Sequence, residues 1–290
     1  MKTKIQFFLI IIYSILLNKS MATQNGAIVG SLPGIAGVDL YGAATYTIPI
    51  WVTPGTNGMQ PNLSLVYNSR SGRGIMGVGW GIQGLSSITR TGKDWMHFGQ
   101  TTGMNVSVND RYHLDGNLLL ATNGGIYHQG GTEYGTEIET FSKIYSVGNS
   151  GAGPDHFNVY SKEGTILEYG NTPDSKVELP NSITALIWQI NRATDANGNY
   201  MTYTYNESNG ESTLQRIEYT FNQAQGLAAY ASVEFEYINS GYPNYYYVDN
   251  EAIGQTKLLS AIYIKYGNAI TKKYTFIYDT GFPRRLTEIK

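Results

Sequence analysis

Between Gly72 and Gly84 the chain carries six glycines, at 72, 74, 77, 79, 81 and 84, threaded around Ile75, Met76, Val78, Trp80 and Ile82. Glycine this dense weakens regular structure unless the backbone needs positive φ or must admit another segment at close range. The block therefore requires a fold in which backbones approach tightly, and Trp80 is expected to fill the space the glycines leave. What precedes it has period two. Tyr46, Ile48, Ile50 and Val52 alternate with Thr45, Thr47, Pro49 and Thr53, which predicts a strand with one buried face. Pro49 has no N–H, so that strand lies at an edge or carries a bulge. Residues 54–58 read as a turn, and a second strand is predicted over 62–68, with Leu63, Leu65 and Tyr67 on one face.

The rest of the chain repeats this pattern of short strands and tight turns. Asp115-Gly116 marks a hairpin within 111–121, and residues 105–108 are expected to form a further short strand. A loop at 148–155 precedes strands at 156–160 and 165–169, turned at Lys162-Glu163-Gly164. Residues 186–205 form two strands around Asp195-Ala196-Asn197-Gly198-Asn199. Strands follow at 214–221 and 231–237, then a hairpin over 257–278 turned at Gly267-Asn268. Residues 284–289 start another strand, and the pattern stops at Lys290 in its middle, as it would in a fragment. No stretch shows ten residues at helical spacing with a cap, and 223–231 is the one candidate for a short helical turn. The fold class is all-β, with many short antiparallel strands in hairpins forming a layered or spiralled sheet.

Composition agrees. Charged residues make up 14% of the 290, against about 25% in average globular chains. Tyrosine, at 24 residues, favours pleated half-buried surfaces. A net charge of −2 provides no field for nucleic acid or an acidic membrane. There is no cysteine, which excludes disulfides, thiol catalysis and Cys-based zinc sites. Lys2 and Lys4 precede an apolar run over 5–17, and Ser20 and Ala22 suit a signal-peptidase cut. That run is shorter than the roughly 20 residues needed to span a bilayer. Residues 1–22 are therefore expected to be a cleaved signal peptide, placing the protein outside the cell with no stable membrane span.

The run over residues 42–90, GAATYTIPIWVTPGTNGMQPNLSLVYNSRSGRGIMGVGWGIQGLSSITR, resembles the opening of the SpvB-type domain that begins the B components of insecticidal toxin complexes and many Rhs/YD-repeat proteins. Pro33, Gly34 and Val38 also fit. The resemblance implies part of a β shell enclosing a separate C-terminal toxic polypeptide, and it carries over no catalytic residue. Residues 186–205 look like a YD-repeat hairpin: a Trp-led strand, D-x-x-G, then Y-x-Y. The implied organisation is a signal peptide at 1–22, an SpvB-type β domain at 23–180 and YD-repeat-like hairpins at 181–290. The implied partners are the rest of such a shell, the enclosed polypeptide and other toxin-complex subunits.

No chemistry-bearing constellation emerges beside that resemblance. His97, His113, His128 and His156 are scattered, without HExxH spacing. Asp195-x-Asn197-Gly198-Asn199 starts like a calcium loop, but Thr204 stands where the bidentate carboxylate belongs, so it reads as a turn. The glycine block has neither G-K-[ST] nor a following helix, so it is no phosphate cradle. Glu137/Glu139 and Glu234/Glu236 are alternate residues on strands, as a polar face provides anyway. Arg70, Arg73 and Arg90 either pair with carboxylates in a larger assembly or are solvated. No catalytic, cofactor-binding or metal-binding residue is assigned, no cofactor is expected, and the chain is read as a structural scaffold, not an enzyme. The alternative is a cell-surface module for glycans or a host protein that contacts its ligand through Tyr242, Tyr245, Tyr246 and Tyr247. A glycosidase on a β scaffold is a weaker rival.

Overall fold

The computed structural model describes residues 32–290, of which Gly34–Lys290 form one compact unit. The expected signal peptide lies outside the described residues. Strands β1 (Ile35–Val38), β2 (Ala44–Pro49) and β3 (Ser64–Asn68) open the fold. The glycine block follows as β4 (Arg73–Gly74), β5 (Gly77–Val78) and β6 (Trp80–Gln83). The first sheet has the order β1-β2-β3-β6, and β4 and β5 pair separately. The strand predicted to run to Thr53 ends at Pro49, past the reach of β1, which pairs only with residues 44–47. Ile50 and Val52 stay buried nonetheless. Beyond the ladder, distant tyrosines hold the segment: Trp51 N–H donates to Tyr274 Oη (3.0 Å), and Tyr219 Oη donates to the Thr53 carbonyl (2.8 Å).

A closed barrel comes next. Its strands are β7 (Ser87–Thr91), β8 (Arg111–Leu114), β9 (Asn117–Ala121), β10 (Glu133–Thr136), β11 (Lys143–Val147), β12 (His156–Tyr160) and β13 (Ile166–Tyr169), followed by the outer strand β14 (Lys176–Glu178) and the closing strand β15 (Ala185–Thr194). Every neighbour from β7 to β13 is antiparallel, and β15 closes the ring by pairing β7 along residues 187–189 and β13 along 190–194. Eight strands leave an interior that side chains can fill. Tyr112, Tyr134, Phe157 and Trp188 fill it from alternate strands β8, β10, β12 and β15, all at most 1% exposed. Their rings meet edge-on, with Phe157–Trp188 at 5.0 Å and Tyr112–Trp188 at 5.2 Å, the geometry aromatic quadrupoles prefer. A short helix, α1 (Trp95–Phe98), capped by Asp94, lies between β7 and β8. The strand expected at 105–108 is absent. Asp110 turns that segment by accepting the Ser107 (2.9 Å) and Asn105 (3.3 Å) N–H groups, and Val106 takes positive φ.

From the far half of β15 the sheet continues as a meander: β16 (Asn199–Ser208), β17 (Glu211–Asn222), β18 (Ala231–Val248), β19 (Glu251–Tyr266), β20 (Ala269–Tyr278) and β21 (Leu286–Ile289). Two-residue turns at Asp115-Gly116, Asn209-Gly210 and Asp249-Asn250 carry positive φ at both positions, which matches the twist of the strands they join. Residues 223–226 form a turn, and no helix follows there. The long β18–β19 hairpin folds its tip onto the chain: Val248 and Ile253 pack with Leu179 and Leu186. The protein is thus all-β and built from antiparallel hairpins, with α1 and a 3-10 turn at Pro173–Ser175 the only helical elements among the described residues. No described helix is long and apolar enough to cross a membrane.

Candidate functional site

The glycine block does bring backbones together. Gly77 has φ +82°, and a Cβ there would lie 2.8 Å from the Arg284 carbonyl. That carbonyl accepts the Val78 N–H (3.1 Å), and the Ile75 carbonyl accepts the Leu259 N–H (2.8 Å). The block therefore clasps the meander at two points. Trp80 is not the buried plug expected of it. It stands half-buried on the edge strand β6, against Tyr67 (5.4 Å) and Tyr46 (6.5 Å). Tyr67 takes the room beside Gly79, where a Cβ would meet its ring at 2.5 Å. The fully buried member of the block is Met76.

Beside this clasp lies a small, half-open cleft lined by Arg73, Ser240, Tyr242, Asn244, Leu258 and Arg284 among others. Two guanidiniums and two rings lie along its walls. The Arg73 guanidinium sits 4.9 Å from the Phe282 ring, Phe282 lies 5.4 Å from Tyr242, and Arg284 sits 5.5 Å from Tyr242. Arg73 Nη2 donates to Asn244 Oδ1 (2.8 Å). Arg284 Nε donates to the Ser240 carbonyl (3.1 Å), and its Nη1 donates to the Asp279 carbonyl. The sequence singles out Arg73 and Tyr242 as candidate contacts, but not Phe282 or Arg284. Those two lie in the loop between β20 and β21, some 200 positions from Arg73, and no local pattern marks them.

Arg90 has a different setting. It is buried at the barrel end and pairs with Asp110 of the same chain at 3.4 Å. Its fork also donates to the carbonyls of Ala185 (3.0 Å), Ser107 (2.9 Å) and Ala152 (3.3 Å). Gly153 leaves room for the fork, since a Cβ there would sit 2.5 Å from Arg90 Nη2.

The remaining candidates stay apart. His97 contacts Asp94 (2.7 Å) and Glu137 (2.9 Å), and the bond to Asp94 raises its pKa above the usual histidine range. His156 contacts Asp155 (2.8 Å), and His113 contacts Thr91 (3.1 Å). Burial lowers the pKa of His113 and of His128. No group of three metal-ligating side chains forms a metal site among the described residues. Glu234 meets Lys265 (2.5 Å) and Arg216 (3.6 Å), whereas Glu236 accepts from Tyr263 Oη (2.6 Å). Asp195 caps its turn by accepting the N–H groups of Asn197 (2.8 Å) and Asn199 (2.9 Å). Tyr245 and Tyr247 are 60% and 75% exposed, on the distal part of β18. Tyr245 lies over Gly254, where a Cβ would be 2.7 Å from its ring.

Solved structures share this architecture. The crystal structure of TcdB2-TccC3 matches with a TM-score of 0.70 at 17% identity, over 90% of this chain and 16% of that one. The N-terminal domain of effector protein SpvB from Salmonella typhimurium strain LT2 matches with a TM-score of 0.66 at 16% identity, over 84% of this chain and 98% of that domain. The Photorhabdus luminescens Tc holotoxin pore carrying the TccC3-D651A mutation matches with a TM-score of 0.65 at 16% identity, over 92% and 16%. The chain thus spans about one-sixth of the Tc toxin chains it resembles. No curated protein matches it in sequence. The sequence itself matches the family described as Salmonella virulence plasmid 65kDa B protein over residues 38–114 and 122–285, most of its length, so this chain belongs to the SpvB family.

Proposed function

We propose that the chain is a non-catalytic structural scaffold of a secreted bacterial toxin-related protein, helping to build a β shell that encloses or delivers a C-terminal effector. The observation that carries this reading is the sheet itself, a closed barrel whose last strand feeds a long antiparallel meander, in a family named for a virulence protein. In this reading residues 1–22 are a cleaved signal peptide, residues 23–180 are the SpvB-type β domain and residues 181–290 are YD-repeat-like hairpins. The partners are the rest of the shell, the enclosed polypeptide and other toxin-complex subunits. The chain contributes no ADP-ribosyl transfer or glycan hydrolysis.

Electron microscopy of the full-length product, with limited proteolysis of its C-terminal segment, tests the proposal. A hollow particle that shields that segment is the expected result. A particle without a lumen, or a segment cut as fast as when isolated, overturns it. The exposed rings of Tyr245 and Tyr247 favour a second reading, a surface module for glycans or a host protein. Saturable glycan binding by the chain, lost on Tyr247→Ala, would establish it in place of the scaffold.

A further inference from the structure

Two guanidiniums, those of Arg73 and Arg284, line one cleft, and neither has a carboxylate within 4.0 Å among the described residues. Each fork has five N–H donors. Arg73 gives one to the protein and Arg284 gives two. The other named lining residues are neutral: Gly74, Gly77, Ser240, Tyr242, Asn244, Gln255 and Leu258. Two like charges held in a partly desolvated cleft without a counter-charge are costly. The Phe282 and Tyr242 rings beside the guanidiniums and the hydrogen bonds to Asn244 and Ser240 hold both forks in advance, so little side-chain entropy is lost when an anion arrives.

The geometry points to a binding site for a carboxylate side chain, an aspartate or glutamate presented by an acidic polypeptide segment. A carboxylate is planar and suits bidentate pairing with a guanidinium. Leu258 and the Tyr242 ring line the cleft beside the two forks and offer apolar surface to a methylene stem. Phosphate shares the charge and the bidentate edge, so it is the competing ligand that the test must separate. The assignment concerns this cleft alone and does not depend on the scaffold reading.

The test uses the full chain labelled with 15N-arginine and follows the Nε–Hε signals of Arg73 and Arg284. The probes are N-acetyl-glutamate-N-methylamide, the matching glutamine compound and inorganic phosphate, at equal ionic strength. Both arginine signals should move together and saturate with the blocked glutamate, at roughly millimolar affinity, and should stay in place with the glutamine compound. Asn244→Asp sets a carboxylate on the Arg73 fork within the cleft. It should weaken the glutamate response about tenfold while leaving the remaining arginine signals unshifted. Equal responses to glutamate and phosphate, no saturation, or unchanged affinity in Asn244→Asp would overturn the assignment. If Asn244→Asp shifts the whole spectrum, Arg73→Lys serves instead, keeping the charge but losing the fork, with the same tenfold weakening expected and unchanged affinity overturning the assignment.

Discussion

Removing the Arg90 side chain by Arg90→Met tests how the barrel end is held. Arg90 and Asp110 are 0% and 1% exposed, so water reaches neither. The substitution keeps the aliphatic stem but strands the Asp110 carboxylate and takes a donor from the carbonyls of Ala185, Ser107 and Ala152. Breaking a buried pair by deleting one partner costs about 3–5 kcal/mol. Asp110 keeps the N–H groups of Ser107 and Asn105, which cushions the loss, so about 4 kcal/mol is expected. For a chain of this size each kcal/mol lowers Tm by about 2–4 °C, giving a fall of about 8–16 °C. In Arg90→Met/Asp110→Leu no charge is stranded, and the double variant should cost about 2 kcal/mol less than the two singles together. Urea unfolding followed by tryptophan fluorescence reports on this region, because Trp188 lies 5.7 Å from the guanidinium. A loss under 1 kcal/mol for Arg90→Met, or strictly additive singles, would refute the reasoning.

Three further outcomes are expected. Glu211 accepts the Thr256 (2.6 Å) and Lys257 (3.0 Å) N–H groups and the Thr256 hydroxyl, so Glu211→Ala should cost about 2–3 kcal/mol and speed hydrogen exchange at those two amides; unchanged exchange there would discount the cap. Gly77→Val should destabilise by more than 2 kcal/mol, from strain at positive φ and from the clash with the Arg284 carbonyl, and a neutral Gly77→Val would mean the clasp yields. His97 has a raised pKa, first through its bond to Asp94, so its contribution is present below the unfolded pKa and lost as pH rises through the folded one. Thermal midpoints measured from about pH 6 to about pH 9 should show that loss in the native chain and not in His97→Gln; identical profiles would rule out the histidine.

Local chemistry was legible in the sequence and distant pairing was not. The turns at Asp115-Gly116, Lys162-Glu163-Gly164, Asp195 to Gly198 and Gly267-Asn268 sit where the sequence predicts them, because positive φ and side-chain caps are properties of a few adjacent residues. Residues 231–237 and the tyrosines at 242–247 belong to one strand of 18 residues. Ser240, Gly241 and Pro243 hid this by interrupting the alternation, and the structure absorbs them in a register shift between Asn239 and Asn244. Closure of the barrel rests on β13 meeting β15, and burial of Arg90 on a carboxylate 20 positions away; neither leaves a periodic trace. The cleft at Arg73 was legible by half, since its second arginine comes from the other end of the chain.

The arrangement around β15 gives the sheet a direction. On one side the hydrogen-bonded path runs into a ring and has no free edge left. On the other it ends at β21, which pairs with β20 alone. Along that path the sheet behaves like a polymer sealed at one terminus and receptive at the other. A strand added beyond β21, from this polypeptide or another, inherits a register that traces back through seven consecutive strands to the aromatic-filled barrel.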